Sequence, residues 1–269
     1  VAAATLFPVA DIVGRVAGPA WRIVQVLPAG ASPHTFEPTP AVVRSLQPAR
    51  LVFKIGGVDD WIDPLAASLR LARVVRLDAG IPLLPHSLAS HGHLHRQEGP
   101  DPHYWLSAAN GALMAAAAAA ALAEADPGRA AAYQANGRAL AAELRELHAE
   151  LRRTLAPAAG SRVIVFHDAW RYFADAYGLE IAAVFQSSPG REPTPRDLKR
   201  LYDQARLSQA RVLFSEPQLP GDSLAPLLAD LGLRPVVLDP LGGAAPGDSY
   251  AEMLRRNARA VAAALGRRP

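Results

Sequence analysis

The chain has 269 residues, half of them hydrophobic, which is enough for one large domain or two ordinary ones around a buried core. Its formal charge of +3 is spread among dispersed acidic and basic residues, so neither a nucleic-acid stripe nor a polybasic membrane patch stands out. The absence of cysteine excludes disulfides, thiolate metal sites, a cysteine nucleophile and a lipid-modified amino-terminal Cys in this sequence.

Short Val/Ile/Leu runs alternate with longer helical patterns, the βαβ signature of a parallel sheet with helices on both faces. In the first half, strands are predicted near Ala4–Phe7, Ile23–Leu27, Leu51–Ile55 and Val74–Leu77. A loop of low complexity follows, with His86, His91, His93 and His95 among Ser, Gly and Gln. The longest apolar run, Ala112–Ala123, falls short of the roughly 20 residues of a spanning helix. Asp126 as N-cap, Pro127 in the first turn and Tyr133, Leu140, Leu144, Leu147, Leu151 and Leu155 at helical spacing predict one helix ending near Pro157. It would be roughly 45 Å long, a stiff strut that opposes large lobe closure, unless Gly137 breaks it in two. His148 on this helix is expected to face solvent. In the second half, strands are predicted near Val163–Phe166, Ile181–Phe185, Val212–Phe214 and Val236–Leu238.

The two halves repeat each other. Glu37-Pro38-Thr39-Pro40 is matched by Glu192-Pro193-Thr194-Pro195, Ala49-Arg50 by Ala210-Arg211, and the strand-closing Asp78 by Asp239. The offset is 155 residues at the first pair and 161 at the other two, as a short insertion after Pro195 would give. The expected fold is therefore α/β, with two related lobes, each a four-stranded mainly parallel sheet flanked by helices, joined by one long rigid helix. The boundaries are 1–125 for the first lobe, 126–156 for the linking helix and 157–269 for the second lobe.

In open α/β sheets ligands bind beyond the carboxyl ends of the strands. There stand His34 on the loop after Ile23–Leu27, His103 directly before a helix, His167 ending Val163–Phe166, and Asp239 ending Val236–Leu238. A single histidine at a strand end is more often a polar edge residue than a ligand, and an Asp there is more often a helix cap. Four such residues at corresponding chain levels weaken that reading, and three imidazoles with one carboxylate are a donor set that zinc accepts. His34 faces Pro189-Gly190 in the aligned second-half loop, so a duplicated scaffold carries one asymmetric site. His91, His93 and His95 alternate as weak late-metal donors do, with His86 as a further auxiliary ligand. The chain has no His-Glu-x-x-His, Gly-x-Ser-x-Gly, Walker or Gly-x-Gly-x-x-Gly motif, and Gly56-Gly57 reads as a tight turn.

At these residues the chain resembles the cluster A-I solute-binding proteins of ABC importers for zinc and manganese, specifically the periplasmic zinc-binding type. The resemblance covers nearly the whole chain and rests on Pro33-His34-Thr35-Phe36-Glu37-Pro38-Thr39, Gly56-Gly57-Val58-Asp59-Asp60-Trp61, Asp101-Pro102-His103-Tyr104-Trp105-Leu106, Phe166-His167-Asp168-Ala169-Trp170, Phe214-Ser215-Glu216-Pro217-Gln218 and Leu238-Asp239-Pro240. It implies metal held between two lobes by His34, His103, His167 and Asp239, with Glu37 bracing the His34 loop. Manganese-type members typically carry glutamate where this chain has His167, which favours Zn²⁺ over Mn²⁺.

The expectation is a zinc carrier outside the cytoplasmic membrane that delivers Zn²⁺ to the membrane permease of an ABC importer and makes no bonds. A metallochaperone is a further candidate partner, no nucleic acid is expected, and the chain is expected to be a monomer. The start at Val1 rather than Met suggests a signal peptide or lipid anchor already removed. The rivals are a manganese or iron carrier of the same family, a zinc hydrolase with Asp239 or Glu216 as general base, and an adhesin-like surface protein.

Overall fold

The computed structural model describes residues 1–69, 73–86, 99–186, 195–218 and 225–266. Four strands, β1 (Ala2–Ala4), β2 (Ile23–Gln25), β3 (Leu51–Lys54) and β4 (Arg73–Arg76), form one sheet in the order β2-β1-β3-β4. Four more, β5 (Arg162–His167), β6 (Glu180–Gln186), β7 (Val212–Ser215) and β8 (Arg234–Val237), form a second in the order β6-β5-β7-β8. Every pairing is parallel. The order repeats position for position, so the sequence repeat is a repeat of topology.

All eight predicted strands are present, with shifted ends. The largest shift is at β1, predicted to run to Phe7. Leu6 is the extended residue before α1 (Phe7–Ala17), Pro8 stands in that helix's first turn, and the strand stops at Ala4. The remaining helices are α2 (Pro40–Leu46), α3 (Ile62–Ser68), α4 (Ala108–Ala125), α5 (Ala130–Leu155), α6 (Arg171–Tyr177), α7 (Pro195–Ser208), α8 (Ala225–Asp230) and α9 (Tyr250–Leu265).

The chain separates into two compact units that interleave in sequence. The first comprises Val1–Leu83, Ser107–His148 and Leu241–Met253; the second comprises Leu84–Leu106, Ala149–Pro240 and Leu254–Pro269. The lobes read from sequence were continuous, whereas here residues 84–106 group with the second unit and 241–253 with the first. Side-chain contacts explain both exchanges. Tyr172 on α6 donates to the Asp101 carbonyl and accepts from the Leu84 amide, and Tyr250 bonds Asp11 on α1 through its backbone amide.

In the first unit Ala3, Val26, Leu46, Ala49, Val52 and Ile62 form a buried cluster, with Phe36, Trp61 and Leu65 packed against it. In the second, Ile164, Phe166, Ala183, Phe185, Leu213, Leu228 and Leu233 play that part. The alanine-rich α4 is long and apolar enough to cross a membrane by length and composition. Ala112, Ala115, Ala118, Ala119 and Leu122 are nevertheless buried within the unit, so α4 serves as a core helix.

The long helix is continuous through Gly137, and its predicted apolar face is buried at every named position from Tyr133 to Leu155. Asp126 stands at the N-cap of the 3₁₀ turn Pro127–Arg129 that leads into this helix, but its carboxylate makes no cap bond to the backbone and accepts instead from Tyr133 Oη (2.7 Å) and Arg129 (3.0 Å). His148, expected to face solvent, is half-buried. Gly137 is needed for close approach: a Cβ there would lie 2.6 Å from the Ala119 Cβ and 3.3 Å from the Ala115 carbonyl oxygen. Gly137→Ala should therefore lower stability by about 1–3 kcal/mol through overpacking, although alanine is the better helix former by about 1 kcal/mol. Urea unfolding of the two proteins gives the sign, and a stabilised variant would refute the close α4–α5 contact.

Candidate metal centre

In a sheet of order 2-1-3-4 the chain leaves the central strand toward opposite edges, and polar groups gather where β1-type and β3-type strands part. The first sheet closes this point on itself. Thr5, just after β1, donates to Asp59 Oδ2 at 2.5 Å, and the Ile55 and Gly56 amides, just after β3, donate to the same carboxylate at 2.8 and 2.7 Å. Gly56 and Gly57 have φ of 94° and 78°, so the pair makes the expected tight turn. Burial raises the Asp59 pKa, with the three donors opposing.

The second sheet places an imidazole at the equivalent point. His167 is the last residue of β5 and Glu216 follows β7 directly; both are buried. His167 Nδ1 lies 3.3 Å from Glu216 Oε1 and 3.4 Å from Oε2, and Trp170 Nε1 donates to Oε1 at 3.0 Å. His103 belongs to the same unit and lies against His167, with ring centroids 5.0 Å apart and planes at 83°. Asp101, wholly buried, presents Oδ1 to both the His103 amide and His103 Nδ1 at 2.8 Å. Burial, followed by the neighbouring His167, holds the His103 pKa well below the ordinary histidine value, so this ring is neutral at physiological pH.

Asp239 follows β8 in the same unit. Its backbone amide donates to Asn257 Oδ1 (2.9 Å), Asn257 Nδ2 donates to its carbonyl (2.8 Å), and Gln218 Nε2 donates to its Oδ1 (3.0 Å). Trp105, two residues after His103, donates its indole N–H to the Pro240 carbonyl at 2.7 Å, tying the His103 segment to the Asp239 loop. The structure thus sets His103 against His167 and ties the His103 segment, through Trp105, to the loop that carries Asp239.

His34 lies in the first unit, partly exposed, on the loop after β2. The side chain of Glu37, expected to brace that loop, is exposed. The support comes from Trp61, whose Nε1 donates to the Pro33 carbonyl at 3.1 Å and whose ring meets Phe36 edge-on at 4.8 Å.

His86, first of the loop histidines, is half-buried with Nδ1 3.6 Å from Asp168 Oδ2, and that carboxylate raises its pKa. His91, His93 and His95 lie outside the described residues, as does most of the second copy of the repeat's first motif, from Ser188 to Thr194. Sequence reasoning assigned no role to Asp101, Trp170, Gln218, Asn257 or Trp61. The signal available was slight: Asp101 stands two residues before a candidate ligand, and Glu216 ends a strand.

A family model for the zinc-uptake complex component A, periplasmic (ZnuA), matches residues 2–264. The chain belongs to the ZnuA family. The high-affinity zinc uptake system protein ZnuA of Paracoccus denitrificans is 31% identical over 96% of this chain and 89% of its own length. A crystal structure of a ZnuA deletion mutant with zinc bound shares 29% identity at a TM-score of 0.85, covering 99% of this chain and 98% of that one. The substrate-binding protein FpvC of Pseudomonas aeruginosa in complex with Mn²⁺ shares 30% identity at a TM-score of 0.85, covering 98% of this chain and 97% of that one. As a member of the ZnuA family the protein is a zinc-binding, extracytoplasmic component of a metal-uptake system, in a family of transport components rather than enzymes.

Two outcomes follow from this geometry. Burial raises the Asp101 pKa from 3.8 to about 7, so the native state keeps a proton that the unfolded chain releases near pH 4. Stability from this group is present at low pH and lost as pH rises from about 4 to 7. In thermal unfolding of metal-free protein, Asp101→Asn should therefore gain on the parent between pH 5 and pH 8; a constant difference would contradict the shift. Trp61→Phe keeps the ring but loses the bond to Pro33, and should cost about 0.5–1.5 kcal/mol in chemical unfolding.

Proposed function

We propose that the protein captures Zn²⁺ with His34, His103, His167 and Asp239 and delivers it to the membrane permease of an ABC importer. The observation that carries this is the pair of buried imidazoles His103 and His167 at 5.0 Å, of which His103 is kept neutral and ready to donate a lone pair. Neutral imidazole suits zinc, and a fourth donor from a carboxylate completes a tetrahedral set. His34 comes from the first unit and Asp239 from the same unit as the two rings. His86 is an auxiliary ligand in this reading, with the loop histidines that follow it.

Four protein ligands leave no open position for activated water, so the protein acts as a carrier and makes no bonds. The surroundings of Glu216 support this, because a carboxylate engaged by Trp170 and His167 is poorly placed to serve as a general base. The carrier works as a monomer, and a metallochaperone is a further partner. A manganese carrier is the competing reading, given the manganese complex of FpvC; His167, an imidazole rather than a carboxylate, favours zinc.

The test is titration of metal-stripped protein with Zn²⁺ and Mn²⁺ in competition with a chromophoric chelator. One tight zinc site is expected, with manganese much weaker, and His167→Ala should lower zinc affinity by more than about 100-fold. Equal affinity for the two ions, or a tight site that survives the substitution, would reject the ligand set. The zinc-dependent rise in melting temperature should also shrink between pH 7.5 and pH 5.5 as the imidazole ligands compete for protons.

A further inference from the structure

We infer that Asp101 and Glu216 are positioning residues for the metal, each holding one histidine so that its Nε2 is the nitrogen offered to zinc. The inference rests on the zinc reading above and adds residues outside the ligand set.

The argument begins with what a carboxylate can accept. Asp101 Oδ1 lies 2.8 Å from His103 Nδ1 and takes the His103 amide proton at the same distance. Oδ1 already accepts from the His103 amide and acts as acceptor toward the ring as well, whether or not Oδ2 carries a proton, so the contact places the ring proton on Nδ1 and the lone pair on Nε2. Both bonds to one oxygen fix the ring relative to its own backbone. Tyr172 fixes that backbone in turn, donating to the Asp101 carbonyl at 3.0 Å while accepting from the Leu84 amide at 2.8 Å.

Glu216 repeats the arrangement by another route. It reaches His167 from the neighbouring strand, with Nδ1 3.3 Å from Oε1, and the Trp170 indole at 3.0 Å keeps the carboxylate from rotating away. Asp101 is wholly buried and Glu216 is 6% exposed, so neither is replaced by water as a partner. Both imidazoles therefore have a buried carboxylate on the Nδ1 side, which leaves Nε2 for the ion. A carboxylate behind an imidazole also raises its donor strength toward a metal. Burying two carboxylates is costly for a fold, and apolar groups of similar size would pack as well. Backing metal-binding imidazoles is a purpose that apolar groups could not serve.

The experiment measures zinc affinity by chelator competition in the parent, Asp101→Asn and Glu216→Gln, all as the full chain. Both substitutions keep shape and an oxygen acceptor but remove the charge. Each should weaken zinc about 10- to 100-fold and alter the visible absorption of the Co²⁺-substituted protein, without lowering the unfolding midpoint of the metal-free protein at neutral pH. If the parent binds zinc tightly and both variants match it within about twofold, with unchanged Co²⁺ spectra, the positioning role is overturned. A parent that binds no zinc tightly would reject the zinc reading itself, a distinguishable result. If one variant does not fold, the other carries the test alone, because each carboxylate serves a different histidine.

Discussion

A carboxylate buried where two parallel strands part has to be met by donors, and in the second sheet that demand orders the surrounding residues. Glu216 stands at the end of β7 with the Trp170 indole on one oxygen and the His167 imidazole beside both. Meeting Glu216 fixes the plane of His167, and His167 in turn packs edge-on against His103. The first sheet places a carboxylate at the same topological point and satisfies it with one hydroxyl and two amides, which leaves nothing to bind a ligand. One fold unit used twice thus yields a closed structural knot in one copy and an imidazole pair in the other.

The candidate residues His103 and Asp239 come from segments far apart in the chain. Trp105 joins the His103 segment to the loop of Asp239 across 135 residues, and Asn257 from α9 clamps the backbone of Asp239 by its amide and carbonyl together. Each of these bonds is buried or partly buried, where losing a partner costs the full desolvation of the group left behind. The His103 segment and Asp239 are therefore held by the second unit's framework as well as by their own loops.

Membership in a zinc-uptake family and the chemistry of the site agree on the kind of ion. Carriers closely similar in fold, such as FpvC, are found with manganese, so the fold alone does not choose the metal. In the proposed site the choice falls to the donors: two imidazoles with buried carboxylates behind them would be softer and more basic than the oxygen sets that hold harder ions.

Much of this was legible in the sequence because it depends on local pattern. Apolar runs of three to five residues between helical stretches located all eight strands, and leucines at helical spacing located the buried face of α5. His167 and Asp239 stood out as candidates because parallel sheets present ligands at strand ends, and His103 because it stands directly before a helix. What tertiary structure alone decided depends on partners distant in sequence. Gly137 reads only as the point where the long helix could break until α4 is seen against it, and nothing in the spacing marks Trp61 as a support of the His34 loop. Asp101 read as one polar residue of a motif and Glu216 as a rival's general base; only folding showed which ring nitrogen each carboxylate faces, because hydrogen-bond direction is a property of three-dimensional neighbours and leaves no trace in spacing.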